Sequence, residues 1–100
     1  MNININLIDT ILKDNDFKII RYYNTFSIYE KRLKHYNDIL EILIDFKKPD
    51  NVFEFKIFLN DETKVFEGDF KKQIKDTDDF KKAVVRVINF ADDFTLFYRG

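Results

Sequence analysis

Residues 39–47 read Ile39-Leu40-Glu41-Ile42-Leu43-Ile44-Asp45-Phe46-Lys47, and their alternation decides the fold. In an extended chain Leu40, Ile42, Ile44 and Phe46 share one side. Glu41, Asp45 and Lys47 take the other, together with Ile39 and Leu43. A helix beginning upstream competes with this reading. Ser27 with Glu30 forms a capping box, and Tyr29, Leu33, Tyr36, Leu40 and Leu43 recur at helical spacing. The alternation favours a strand over Ile39 to Lys47. Ser27 to Tyr36 is then read as a strand as well, with a helix as the alternative.

Downstream, Lys48-Pro49-Asp50-Asn51 has turn chemistry, and Val52 to Asn60 alternates Phe53, Phe55, Ile57 and Leu59 with Glu54, Lys56 and Asn60. Asn60-Asp61-Glu62 turns the chain into Thr63 to Glu67, which Gly68-Asp69 closes. Ile39 to Glu67 is therefore a three-stranded meander. Upstream, Phe17 to Tyr23 is rich in β-formers and adds an edge, with Asn24-Thr25 as a hairpin turn. Phe58, on the same face as Lys56, suggests that the first helix covers part of that second face.

Two helices flank the meander. Leu7, Ile8, Ile11 and Leu12 lie at helical spacing between Asn4 and Lys13, with Asn4 or Asn6 as cap and Asp14-Asn15-Asp16 as the stop. Phe70 to Lys75 reads as a polar loop or single turn. The second helix begins at Thr77 or Asp78-Asp79 and carries the stripe Phe80, Ala83, Val84, Val87, Ile88 and Ala91. Asp92-Asp93 interrupts that stripe, so Phe94 to Arg99 reads as a last strand or packed extension. The expected fold is one α+β domain over residues 1–100, an antiparallel meander of about four to five strands with helices near 5–13 and 78–91 packed on it. Phe53, Phe55, Ile57, Leu40, Ile42, Val84 and Val87 are the expected core.

Composition limits the chemistry. A chain of 100 residues supports one core, here built from 12 Phe and many Ile, without Trp or Cys. Lack of cysteine excludes a disulfide framework, a thiolate nucleophile and a Cys-based metal site, which makes the cytoplasm the expected compartment. The first residues lack a basic and then apolar export pattern, and no apolar run approaches the roughly 20 residues needed to cross a bilayer. No membrane partner is expected. Asn, Lys, Ile, Phe and Tyr, which AT-rich codons encode, make up about half the chain. That bias points to a low-GC bacterium, or to one of its phages or mobile elements.

Catalytic constellations are not evident. His35 is the single histidine; beside Lys34 and Tyr36 it reads as a solvated loop residue, with Asp38 the one candidate to make it a base. The pairs Asp61-Glu62, Asp78-Asp79 and Asp92-Asp93 lack the spacing of a calcium loop, and Gly68 and Gly100 cannot make a phosphate-binding loop. The expectation is a protein that is not an enzyme and uses no cofactor and no metal.

Charge is more informative. Residues 17–36 sum to +4 and residues 37–70 to −5, within a net charge of −1. The acidic stretch, on strands and turns of the meander, offers Glu41, Asp45, Glu54, Asp61 and Glu62 as contacts for a protein partner with a basic surface. The expected function is a small cytoplasmic protein-binding domain. A narrower expectation is an inhibitor or antidote from a phage or mobile element, with an anti-defence role, occluding a nucleic-acid-handling partner. The alternative is single-stranded nucleic-acid binding by the basic and aromatic residues Lys18, Arg21, Tyr22, Tyr29, Lys31, Arg32 and Lys34.

Overall fold

The computed structural model describes residues 3–46 and 51–100. In chain order the elements are α1 (Ile5–Asp14), β1 (Lys18–Tyr23), β2 (Phe26–Arg32), β3 (Ile39–Asp45), β4 (Val52–Phe58), β5 (Lys64–Asp69), a 3₁₀ turn (Lys71–Gln73) and α2 (Thr77–Tyr98). The sheet has five strands in the order β1-β2-β3-β4-β5, every pair antiparallel. The α+β meander with two packed helices is thus the observed architecture. The expected turn at Lys48-Pro49-Asp50, like Lys47 before it, lies outside the described residues.

Tertiary packing settles the ambiguous stretch. Tyr29 of β2 pairs with Ile42 of β3 and points to the same side, so the extended β2 adds its ring to the core that β3 and β4 build. Leu40, Ile42 and Ile44 of β3 and Phe53, Phe55 and Ile57 of β4 are buried on that side. All seven expected core residues are buried. Ile8, Ile11 and Leu12 of α1 join the same cluster as Phe80, Ala83, Val84, Val87 and Ala91 of α2. Both helices therefore lie on one face of the sheet. The expectation that α1 covers the face of Lys56 and Phe58 is corrected: its short apolar stripe is buried where the large apolar residues of β3 and β4 are continuous.

The helix ends are fixed locally. The Asn4 side chain accepts from the Asn6 N–H at 3.0 Å, and Asp16 turns the chain with a φ of 67°. Asp76 caps α2 by accepting from the Asp79 N–H at 2.8 Å. A last strand at Phe94 to Arg99 does not form, because α2 continues through Asp92-Asp93 to Tyr98. Ala91, Phe94, Thr95 and Tyr98 prolong the stripe at helical spacing, and Ala91 and Thr95 are fully buried. Asp92 turns away and accepts from the Lys34 N–H at 3.3 Å. The segment after β5 is less polar in role than in composition, since Phe70 and Ile74 are buried on either side of the 3₁₀ turn.

A charged open sheet face as candidate binding site

Register defines the uncovered face rung by rung. One rung runs Lys18, Glu30, Glu41, Lys56, Glu67 across all five strands. The next runs Arg21, Ile28, Leu43, Glu54, Asp69. Both begin with a cation on β1 and end with a carboxylate on β5. Ile28 and Leu43 form a half-buried apolar centre between them. Two pairs of carboxylates stand directly opposite one another, Glu30 against Glu41 and Glu54 against Asp69. Directly opposed like charges weaken a sheet, so this face is not arranged for stability alone.

Glu41 sits at the centre of this arrangement. Partial burial pushes its carboxyl above the ordinary glutamate range, and Glu30 adds to that, while Lys56 and Arg21 pull the other way. At the β5 edge, Glu54, Glu67, Gly68 and Asp69 line a depression of about 250 Å3. Glu67 is paired with Lys64 at 2.8 Å, which holds its carboxyl below the ordinary value.

The expected acidic contacts divide into two groups. Glu41 and Glu54 are diagonal neighbours on the open face, and Asp45 shares that face but is engaged, accepting from the Thr25 hydroxyl at 2.7 Å. Asp61 and Glu62 stand apart in the β4–β5 turn. Asp61 accepts from the Thr63 N–H at 3.0 Å, and bonding to Thr63 keeps its carboxyl low. Glu62 closes the turn with a φ of 73°. Glu67 and Asp69, part of the same acidic stretch in the sequence, also belong to the face, and so does Glu30, which only the strand register brings to it.

The basic and aromatic residues do not form one surface. Lys18, Arg21 and Arg32 lie on the open face, whereas Tyr22, Tyr29 and Lys31 lie on the helix side and Lys34 in the β2–β3 loop. Lys31 is largely covered and 3.9 Å from Asp16. Tyr29 is removed from any stacking surface: it is buried, and its hydroxyl donates to Asp9 Oδ1 at 2.7 Å. Burial and this bond push the phenol well above its ordinary value, and the same bond, aided by Lys13, keeps Asp9 low.

His35 is exposed and has no carboxylate partner in Asp38. Asp38 is fully buried and instead accepts from Arg99 Nε at 2.9 Å and from the Asn60 N–H at 3.0 Å. Among the described residues no group of His, Asp and Glu is arranged to hold a metal ion. On the helix side, a hollow of about 440 Å3 lies between α1 and the β1–β2 hairpin, with Ile8, Ile19, Tyr22, Ser27, Tyr29 and Ile44 in its wall. No family model, curated protein or solved structure matches this chain.

Proposed function

We propose that the chain is a protein-binding domain that engages a basic partner surface through the uncovered face of its sheet. The observation that carries this reading is the pair of opposed carboxylate couples, Glu30 with Glu41 and Glu54 with Asp69, on the face that neither helix among the described residues covers. Each couple costs the isolated domain stability, and a lysine or arginine from a partner converts that cost into attraction. Partial burial raises the Glu41 carboxyl, and a further cation from a partner would favour its ionised form. Being on strands, these carboxylates are presented with little conformational freedom left to lose on binding. An inhibitor or antidote that blocks a nucleic-acid-handling protein, of phage or mobile-element origin, is the narrower form of the proposal.

The test is capture of partners from host lysate by wild type and by a Glu41→Lys, Glu54→Lys double variant, at low and high salt. A basic protein retained by wild type at low salt, and lost with the double variant or on raising salt, is the expected result. Retention of nucleic acid without any protein would overturn the proposal in favour of the single-strand-binding reading. Support for that reading is limited to Tyr23, exposed on the same face as Lys18 and Arg21.

A further inference from the structure

We infer that the far edge of β1 docks an extended, acidic and apolar segment of a partner protein, added to the sheet as a further strand. This interface runs along the β1 edge and shares only the cations Lys18 and Arg21 with the open face.

The two edges of the sheet are built differently. On β5 the exposed residues are Lys64, Glu67 and Asp69, the charged guard expected of an edge that avoids company. On β1 every residue is exposed, and four of the six are large and apolar or aromatic: Ile19 at 39%, Ile20 at 50%, Tyr22 at 71% and Tyr23 at 72%. Among the described residues no strand pairs with the outer side of β1. Its main-chain groups there can serve an incoming strand, and main-chain hydrogen bonds supply affinity in that mode of recognition.

β1 carries a register shift between Ile19 and Arg21 that places Ile19 and Tyr22 on one side and Lys18 and Arg21 on the other, and this sets what an incoming strand must carry. Ile19 and Tyr22 face the helix side, where they wall the hollow of about 440 Å3 between α1 and the hairpin. The hollow has room for a large apolar or aromatic side chain, with Ile8 and Ile44 as further walls. Lys18 and Arg21 face the other way. Lys18 stands opposite Glu30, but the Arg21 guanidinium makes no hydrogen bond or ion pair among the described residues. An incoming strand that alternates acidic with bulky apolar residues satisfies both sides at once. A second copy of β1 does not, because it would bring its own Lys18 and Arg21 to the same edge. A single-stranded nucleic acid offers phosphates to Arg21 but no strand backbone to pair with the edge.

The probe is a short capped peptide alternating glutamate with phenylalanine and valine, titrated into the isotope-labelled full chain and followed by amide NMR and hydrogen exchange. Amides from Lys18 to Tyr23 and of Ser27 should shift, and β1 should gain exchange protection. Affinity should fall about tenfold or more for Arg21→Glu. It should fall likewise for Tyr22→Lys, and for a peptide twin with alternate backbone amides methylated. The Arg21 and Tyr22 side chains are exposed on the edge strand, so the fold is not at stake in those variants. Glu41→Lys, Glu54→Lys should not weaken binding of the acidic peptide, whereas it should abolish binding of a basic partner, which separates this inference from the proposal for the open face. It would be overturned by no binding of the acidic peptide, equal binding by its methylated twin, shifts on β3 and β4 instead of β1, or tighter binding at β1 by a mixed-sequence single-stranded oligonucleotide. Concentration-dependent self-association abolished by Tyr22→Lys would also overturn it, by giving the edge to a second copy.

Discussion

Arg99, at the end of α2, grips Asp38, which lies 61 positions earlier in the chain and is fully buried. Nε reaches Oδ2 at 2.9 Å and Nη2 reaches Oδ1 at 2.5 Å, while the guanidinium carbon lies 4.8 Å above the ring centre of Tyr36. The Asn60 N–H completes the site. One carboxylate thus joins the helix terminus, the β2–β3 loop and the β4–β5 turn.

Removing the charge at that junction should be costly. Arg99 holds the Asp38 carboxyl below its ordinary value of 3.8, so the contribution is present above 3.8 and is lost as pH falls through the lower folded value. Asp38→Asn should destabilise the protein by about 1.5–3 kcal/mol at neutral pH. The gap from wild type should narrow below pH 3.8, as measured by urea unfolding at both conditions.

Glu41 has the opposite sign. Its carboxyl is raised above 4.5 in the folded state, so ionisation works against folding, and stability is lost as pH rises through the folded value. Glu41→Gln should therefore stabilise the isolated domain at neutral pH by a few tenths to about 1 kcal/mol. The same variant should bind the basic partner more weakly. A thermal melt and a binding titration on one sample would check both directions.

Gly68 lies opposite Phe55 in the β4–β5 register, and a Cβ there would sit 2.9 Å from the Phe55 ring and 3.2 Å from that of Phe66. Those rings are stacked at 5.6 Å between centroids, and Phe55 also meets Phe70 and Phe90, so it has little room to yield. Gly68→Ala should cost about 1–3 kcal/mol by overpacking, read from the midpoint of chemical unfolding. A compensating Phe55→Leu should recover part of that loss.

Tyr29→Phe deletes one hydroxyl and leaves the ring in the core. The expected cost is about 0.5–1.5 kcal/mol. A sharper readout is the Asp9 carboxyl, whose low value rests first on the Tyr29 bond and then on Lys13. In the variant it should titrate closer to 3.8, as followed by carbon-detected NMR. An unchanged Asp9 would show that Lys13 alone holds it down.

The central strands were legible because period-two alternation of large apolar residues is written locally, as at Leu40, Ile42 and Ile44 and again at Phe53, Phe55 and Ile57. The end of α2 was not. Asp92-Asp93 resembles a stop, and only the fold brings the Lys34 N–H to Asp92 and buries Thr95. Tyr29 was misread as surface because its face depends on pairing with Ile42. The opposed carboxylates were hidden for a related reason. Glu30 meets Glu41 only in one register, and that register is set by hairpin geometry and core packing rather than by either residue. Asp38 reads as one more acid in an acidic run until Arg99 arrives from the far end of the chain.

Sequential pairing of the strands has a kinetic consequence. Every strand bonds to its neighbour in sequence, so the sheet has low contact order and can form by closing short loops in succession. The grip of Arg99 on Asp38 is the opposite kind of contact, spanning most of the chain, and its entropy cost is best met once the sheet exists. It should therefore be absent from the folding transition state. Asp38→Asn should speed unfolding and leave the folding rate nearly unchanged in stopped-flow measurements, making this ion pair a latch on the lifetime of the folded state.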